Sequence, residues 1–188
     1  PLAEKVPDVS QGSLNRREIR VEIHPLSEER QPTAVEARRL SQFAGQYVFR
    51  PNLPLGRARV VRAGEDVTIV TWGALVYTSL EAAERLAEED VSVEIIDLQT
   101  IVPLDWDAVF ASVRKTSRLV VVQEDVPFAS VASEVAARVA AEAFWDLDGP
   151  ILRVTPPHTH VPFATVLEDA FVPQTADVVA AVNTLAAL

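Results

Sequence analysis

From Val67 onward, short apolar runs alternate with longer stretches whose apolar positions recur every three or four residues. Val67–Trp72 is apolar on both strand faces, the pattern of a strand covered by helices on each side. Leu75–Glu88 sets Val76, Leu80, Ala83 and Ala87 on one stripe with Glu81, Glu84, Arg85 and Glu88 mostly opposite, which predicts an amphipathic helix. Val91–Ile96, Leu119–Gln123 and Ile151–Val154 repeat the strand pattern. Between them, Asp105–Arg114 turns Trp106, Val109, Phe110 and Val113 inward and places Asp105 and Asp107 near the positive end of the helix dipole. Ala129–Phe144 carries a stripe of Ala132, Val135, Ala136, Val139, Ala140 and Ala143. Thr175–Leu188 closes the chain as a helix with Val178, Val182 and Leu185 inward. Alternating strands and helices with short connections predict an α/β fold, an open, mostly parallel sheet with helices on both faces. Sites in such folds lie beyond the carboxyl ends of the strands. Here those ends are Trp72–Gly73, Asp97–Pro103, Gln123–Ala129 and Thr155–Phe163.

Residues 1–66 have another character, and the expected division is a lead-in over 1–66 and one domain over 67–188. Pro7, Pro25, Pro32, Pro51 and Pro54 interrupt the lead-in. Ile19, Val21 and Ile23 alternate with polar neighbours as in a short strand. Thr33-Ala34-Val35-Glu36 is a capping box that predicts a helix to about Phe43, stopped by Gly45. Tyr47–Gly64 reads as a linker on a surface. His24 is given no role.

Charge sharpens the division. Residues 1–66 hold 11 Lys and Arg against 9 Asp and Glu; of the chain's 17 and 27, that leaves 6 bases and 18 acids for 67–188, net −12. Such a field repels phosphate backbones and excludes nucleic acid as a partner of the main domain. Without cysteine the chain has no disulfide, no thiolate metal site and no cysteine nucleophile. No apolar run approaches the roughly 20 residues of a membrane span, so no membrane association is expected. Methionine is absent even at position 1, and we expect a fragment of something longer.

Familiar catalytic motifs are missing. The first strand is followed by Trp72-Gly73-Ala74-Leu75, one glycine where a dinucleotide fold needs three, and no GxSxG elbow occurs. His158 and His160 flank Thr159 in a proline-stiffened loop. Two apart in extended backbone, they point the same way and could share a divalent ion if a carboxylate joined them. The plainer reading is a loop with ordinary hydrogen-bonding histidines. Glu124 and Asp125, at the end of the third strand, could do acid/base work, but the favoured role is capping the following helix. Trp72 and Trp106 read as core.

Several stretches together resemble a known family. They are Val67-Thr-Ile-Val-Thr-Trp-Gly73, Val91–Asp105 with its Asp97-Leu-Gln-Thr-Ile-Val-Pro103-Leu-Asp105, Val113–Glu124, Ala132–Val139, Asp148–Thr155, Val161-Pro162-Phe163 and Leu167-Glu168-Asp169, preceded by Pro54-Leu55-Gly56-Arg57-Ala58. In this order, over about residues 48–188, they resemble the C-terminal, transketolase-type domain of the beta subunit of thiamine-diphosphate-dependent 2-oxoacid dehydrogenases. The resemblance implies a three-layer sandwich belonging to the component that decarboxylates pyruvate or a branched-chain 2-oxoacid and passes the acyl group to a lipoyl arm. It implies thiamine diphosphate and Mg²⁺ in the whole enzyme, held by an alpha-type domain and a pyrimidine domain, and neither bound by this chain. It therefore implies no catalytic, cofactor-binding or metal residue here and an isolated chain without turnover. The expected contribution is homodimerisation, bracing of the catalytic domains and docking of the basic subunit-binding domain of the lipoyl acyltransferase.

Asp146 and Asp148 are the candidate docking carboxylates, and Glu124, Asp125, His158 and His160 the candidate site-edge or interface residues. The implied location is the cytoplasm, or the mitochondrial matrix in a eukaryote. The family often carries His-Glu-Ala-Pro and a glycine pair where this chain reads Gln123–Ser130, a change expected to remove left-handed backbone options. An aspartate is common where His158 stands. Another transketolase-type thiamine enzyme, or a non-catalytic dimerisation module, is the alternative.

Overall fold

The computed structural model describes residues 54–188. The strand predicted at Ile19–Ile23, the helix predicted from Thr33 and His24 lie outside the described residues. Within them, five strands and five α-helices follow in the order β1 (Arg59–Arg62), β2 (Val67–Thr71), α1 (Leu75–Ala87), β3 (Val93–Asp97), α2 (Trp106–Thr116), β4 (Leu119–Val122), α3 (Val131–Glu142), β5 (Leu152–Val154), α4 (Thr165–Phe171) and α5 (Thr175–Ala186), with a 3-10 turn at Phe144–Asp146 after α3. The sheet order is β1-β3-β2-β4-β5. All neighbours run parallel except β1, which lies antiparallel on β3. The chain turns one way from β2 to β3 and the other way to β4, which puts the topological switch point between the carboxyl ends of β2 and β4.

Strand register explains the two layers of helices. Ile69 is level with Ile95 and Val120, and Val70 with Ile96 and Val121. Successive residues face opposite sides, so each row of branched side chains supplies one face. Val70, Ile96 and Val121 pack with Val109, Phe110 and Val113 of α2 and Ala132, Val135 and Val139 of α3. The other row lies on the side of α1 and α5, which pack on each other and on the sheet. Each fully buried Ile, Leu or Val adds roughly 1.5–3 kcal/mol, so residues such as Ile69, Ile95, Ile96 and Leu119, all at zero exposure, carry most of the driving force. Trp72 and Trp106 are half-buried against the α2/α3 core, as expected.

One polar cluster interrupts that apolar layer. The Thr68 hydroxyl lies 2.6 Å from the Ser112 hydroxyl and 2.7 Å from the Thr116 hydroxyl. Thr116 also donates to the backbone oxygens of Ser112 and Arg118. All three residues are buried, and their hydrogen bonds answer one another across β2 and α2.

Two elements were absent from the sequence expectations. β1 lies inside the stretch read as a surface linker, and α4 inside a stretch given no element. Between β1 and β2, Gly64 crosses so close to β3 that a Cβ there would lie 2.1 Å from the Val93 carbonyl carbon.

Candidate functional site

Four loops form the carboxyl edge of the sheet. The β3–α2 loop is tied down first. Thr100 Oγ1 accepts from the Gly56 amide at 3.0 Å and donates to the Pro103 carbonyl at 3.0 Å. Asp105 caps α2 by accepting from the Ala108 amide at 3.2 Å, and its other oxygen accepts from the Ala58 amide at 3.0 Å. The Val102–Pro103 peptide is cis. Burial raises the pKa of Asp97, at the root of this loop, above the usual carboxylate value, and the Gln99 amide and the Arg59 charge only partly offset it.

The β4–α3 loop is organised by Gln123, which is 1% exposed. Its Nε2 donates to the carbonyls of Asp125 (2.9 Å) and Val126 (3.1 Å), and its Oε1 accepts from the Ala132 amide at 2.8 Å. One side chain thus closes the loop on itself and caps a free amide at the start of α3. Ser130 is the N-cap, accepting from the Ser133 amide at 3.3 Å. From β5, Arg153 donates to the Pro127 carbonyl at 2.8 Å and to Ser133 Oγ at 2.6 Å.

This corrects the role given to Glu124 and Asp125. They stop short of α3, which begins at Val131, and neither caps it. Asp125 accepts from the neighbouring Val126 amide at 2.7 Å and Glu124 is exposed. The loop also keeps a left-handed residue without glycine, because Ala129 sits at φ 50°. The expectation that Phe128 and its neighbours remove such conformations is therefore overturned. Gln123 had no assigned role in the sequence, where a polar residue ending an apolar run is common. Its signal was the six-residue gap to Ser130, long enough to need an internal anchor.

His158 and His160 are exposed on the β5–α4 loop. The His158 ring stacks on Phe128 with centroids 5.9 Å apart and planes at 18°, so it joins two edge loops by ring contact. Among the described residues no three His, Asp or Glu side chains gather where a metal ion could sit. Mg²⁺ bound to a diphosphate requires converging oxygen ligands, so these residues do not fit thiamine diphosphate with its Mg²⁺, and no reaction step is derived through it.

Beside these loops an open groove of about 860 Å³ runs between Ile101–Leu104 and the first turns of α3. Trp106, Ala129, Val131, Glu134, Ala137 and Arg138 are among the residues that line it. Arg138 holds its guanidinium 4.2 Å above the Trp106 ring and gives its Nε to Glu142 at 2.5 Å.

Asp146 and Asp148 belong to the opposite edge, past the end of α3. Asp146 accepts an ion pair from Arg114 at 3.3 Å, which offsets much of its charge. The Asp148 amide donates to the Ser117 carbonyl at 2.8 Å while its side chain is exposed. The sequence candidates therefore form two groups on two edges rather than one site.

Comparison with known proteins agrees with the fold. Over 129 residues the chain is 49% identical to the beta subunit of acetoin:2,6-dichlorophenolindophenol oxidoreductase of Cupriavidus necator, covering 69% of this chain and 38% of that protein. It is 47% identical over 129 residues to the mitochondrial pyruvate dehydrogenase E1 component subunit beta-1 of Arabidopsis thaliana, covering 69% and 36%. The chain thus spans well under half the length of these relatives. A solved split-gene transketolase, described as an inactive beta4 tetramer, superposes with a TM-score of 0.64 at 29% identity, over 76% of this chain and 46% of that one. The family model for the transketolase C-terminal domain matches residues 56–178, most of the chain, and the chain belongs to that family.

Proposed function

We propose that this chain is the C-terminal domain of the beta part of a 2-oxoacid dehydrogenase decarboxylating component and serves dimerisation and docking rather than bond-breaking. The observation that carries the reading is the match at 47% identity to little more than a third of the pyruvate dehydrogenase E1 component subunit beta-1 of Arabidopsis thaliana. The chemistry of oxidative 2-oxoacid decarboxylation then belongs to the alpha-type and pyrimidine domains, with thiamine diphosphate and Mg²⁺ between them. The carboxyl edge is consistent with a bracing role. Its loops are tied internally by Gln123, Arg153, Thr100 and Asp105.

Docking of the basic subunit-binding domain of a lipoyl acyltransferase is assigned to the opposite edge. Steering by an acidic surface raises the association rate at low salt. Asp148 supplies free charge there, whereas Asp146 must share its charge with Arg114. Asp148→Lys is accordingly expected to weaken docking more than Asp146→Lys.

Two measurements test the proposal. Mixed with alpha-type and pyrimidine domains, the chain should restore 2-oxoacid-dependent decarboxylation; alone it should show no turnover and no calorimetric signal with thiamine diphosphate. Tight cofactor binding to the isolated chain would overturn the assignment. So would equal docking at low salt after charge reversal at Asp148.

A further inference from the structure

We propose that Asp148–Gly149 is a self-modification site, at which the folded chain closes a succinimide and opens it to an isoaspartate, the substrate of methyltransferases that act on isoaspartyl carboxylates. The inference stands apart from the assembly role proposed above and needs no partner subunit.

The sequence isolates the pair. Among all the aspartates and asparagines of the chain, Asp148 alone precedes glycine; the other aspartates precede valine, leucine, tryptophan or alanine. A side chain on the following residue crowds the approach of that residue's amide nitrogen to the carboxyl carbon, and glycine has none.

The fold leaves both reacting groups free. Other carboxylates are held: Asp66 accepts from the Ser92 amide at 2.7 Å, Asp177 accepts from the Gln174 amide at 2.8 Å, and Asp146 pairs with Arg114 at 3.3 Å. Elsewhere the next amide is engaged. After Asp90, the Val91 amide donates to the Leu86 carbonyl at 2.9 Å, and Asp107 and Asp169 lie inside α2 and α4. Asp148 differs on both counts. Its exposed side chain makes no hydrogen bond or ion pair among the described residues, and the Gly149 amide donates to no acceptor there. The Asp148 amide is fixed by the Ser117 carbonyl at 2.8 Å, pairing with β4 resumes only at Leu152, level with Val120, and Pro150 has no N–H to add. The Asp148–Gly149 link is thus an exposed span between two anchors.

The chemistry needs only water. The Gly149 nitrogen gives up its proton and bonds to Cγ of Asp148, and the carboxyl hydroxyl leaves as water. Water then adds to one of the two imide carbonyls, and nothing is oxidised or reduced. Attack at Cγ restores aspartate. Attack at the main-chain carbonyl breaks its bond to nitrogen, routes the chain through Cβ and Cγ, and leaves the α-carboxylate as the side group. Mass and charge end where they began, but the chain between the two anchors is longer by one carbon and must bow outward.

The full 188-residue chain, kept folded in neutral buffer for weeks, is expected to accumulate isoaspartate at Asp148. Trypsin releases Val139–Arg153, which carries Asp146 as an internal control. Electron-transfer fragmentation should place the isomer at Asp148, with a transient form lighter by one water. An isoaspartyl methyltransferase should move labelled methyl from S-adenosylmethionine to that residue and not to Asp146. Gly149→Ala should lose the label. Its Cβ would meet only Leu188 Cδ1 at 3.0 Å and Leu185 Cδ2 at 3.6 Å, the ends of flexible side chains, so the variant should fold, as circular dichroism will check. Label that appears only in chain unfolded by urea, equal label at Asp146, or undiminished label in folded Gly149→Ala each overturns the proposal.

Discussion

Removing the Gln123 side chain tests whether one buried amide holds the β4–α3 loop. Gln123→Ala deletes three hydrogen bonds of 2.8–3.1 Å at a site 1% exposed. Each is worth about 1 kcal/mol net, and the stranded Ala132 amide adds its own desolvation penalty, for a total of ~3 kcal/mol. That is a large part of the roughly 5–15 kcal/mol by which a domain is stable. With a urea slope of ~2 kcal/mol/M the midpoint should fall by about 1.5 M.

Gln123→Glu keeps the shape and separates the donors from the acceptor. The introduced carboxyl can still accept from the Ala132 amide, but it faces two carbonyls with no proton when ionised. Burial and those carbonyls raise its folded pKa above the unfolded value of about 4.3. The stability it retains is then present below the unfolded pKa and lost as pH rises through the folded one. Urea denaturation followed by circular dichroism should find this variant close to the native chain near about pH 4 and weaker near about pH 8. A loss below about 1 kcal/mol for the alanine variant, or a glutamate penalty independent of pH, would refute the role given to Gln123.

Three further outcomes follow from backbone and burial. Gly64→Ala would push a Cβ to 2.1 Å from Val93 and 2.3 Å from the Glu94 amide nitrogen, both backbone atoms, and should cost ~4 kcal/mol or prevent folding, read by thermal melting. Ala129→Gly relieves an alanine at φ 50° and should gain about 1 kcal/mol, a rise of roughly 3 °C in Tm; an unchanged Tm would mean the loop stores no strain there. Asp97→Asn removes a carboxyl whose pKa is raised, chiefly by burial. The Asp97 contribution is fully present below the ordinary carboxylate range and lost as pH rises through the folded value. The asparagine variant should therefore gain on the native chain at neutral pH and lose that advantage in acid, as melting curves at the two conditions will show.

The parallel strands and the longer helices were legible because each carries its own signal. Val67–Thr71 and Leu119–Val122 are apolar on both faces, and α1, α2 and α3 have stripes that end in the core. β1 was not legible. Arg59-Val60-Val61-Arg62 is four residues flanked by polar and proline-rich sequence, and it becomes a strand only by pairing with β3, more than thirty residues away. α4 buries only Phe171 among its seven residues, so no stripe announces it. At the site, proximity in sequence misled. Glu124 and Asp125 stand next to the strand end, but the cap is set by where the helix begins, and that favoured Ser130 and the side chain of Gln123. The groove was invisible because its two walls, Ile101–Leu104 and α3, are joined only by the fold.

The buried hydroxyls of Thr68, Ser112 and Thr116 bear on uniqueness rather than on strength. Apolar contacts from Val109, Phe110 and Val113 favour burial of α2 at almost any small roll about its axis, since dispersion has little directionality. Hydrogen bonds of 2.6 and 2.7 Å do not. They admit one azimuth, because a roll that parts them leaves polar atoms stranded in the core. The same azimuth carries Trp106 under Arg138 at the floor of the groove. Replacing Thr68 with valine could leave the melting temperature almost where it was and still let α2 rock, so that the groove loses its shape before the domain loses its fold.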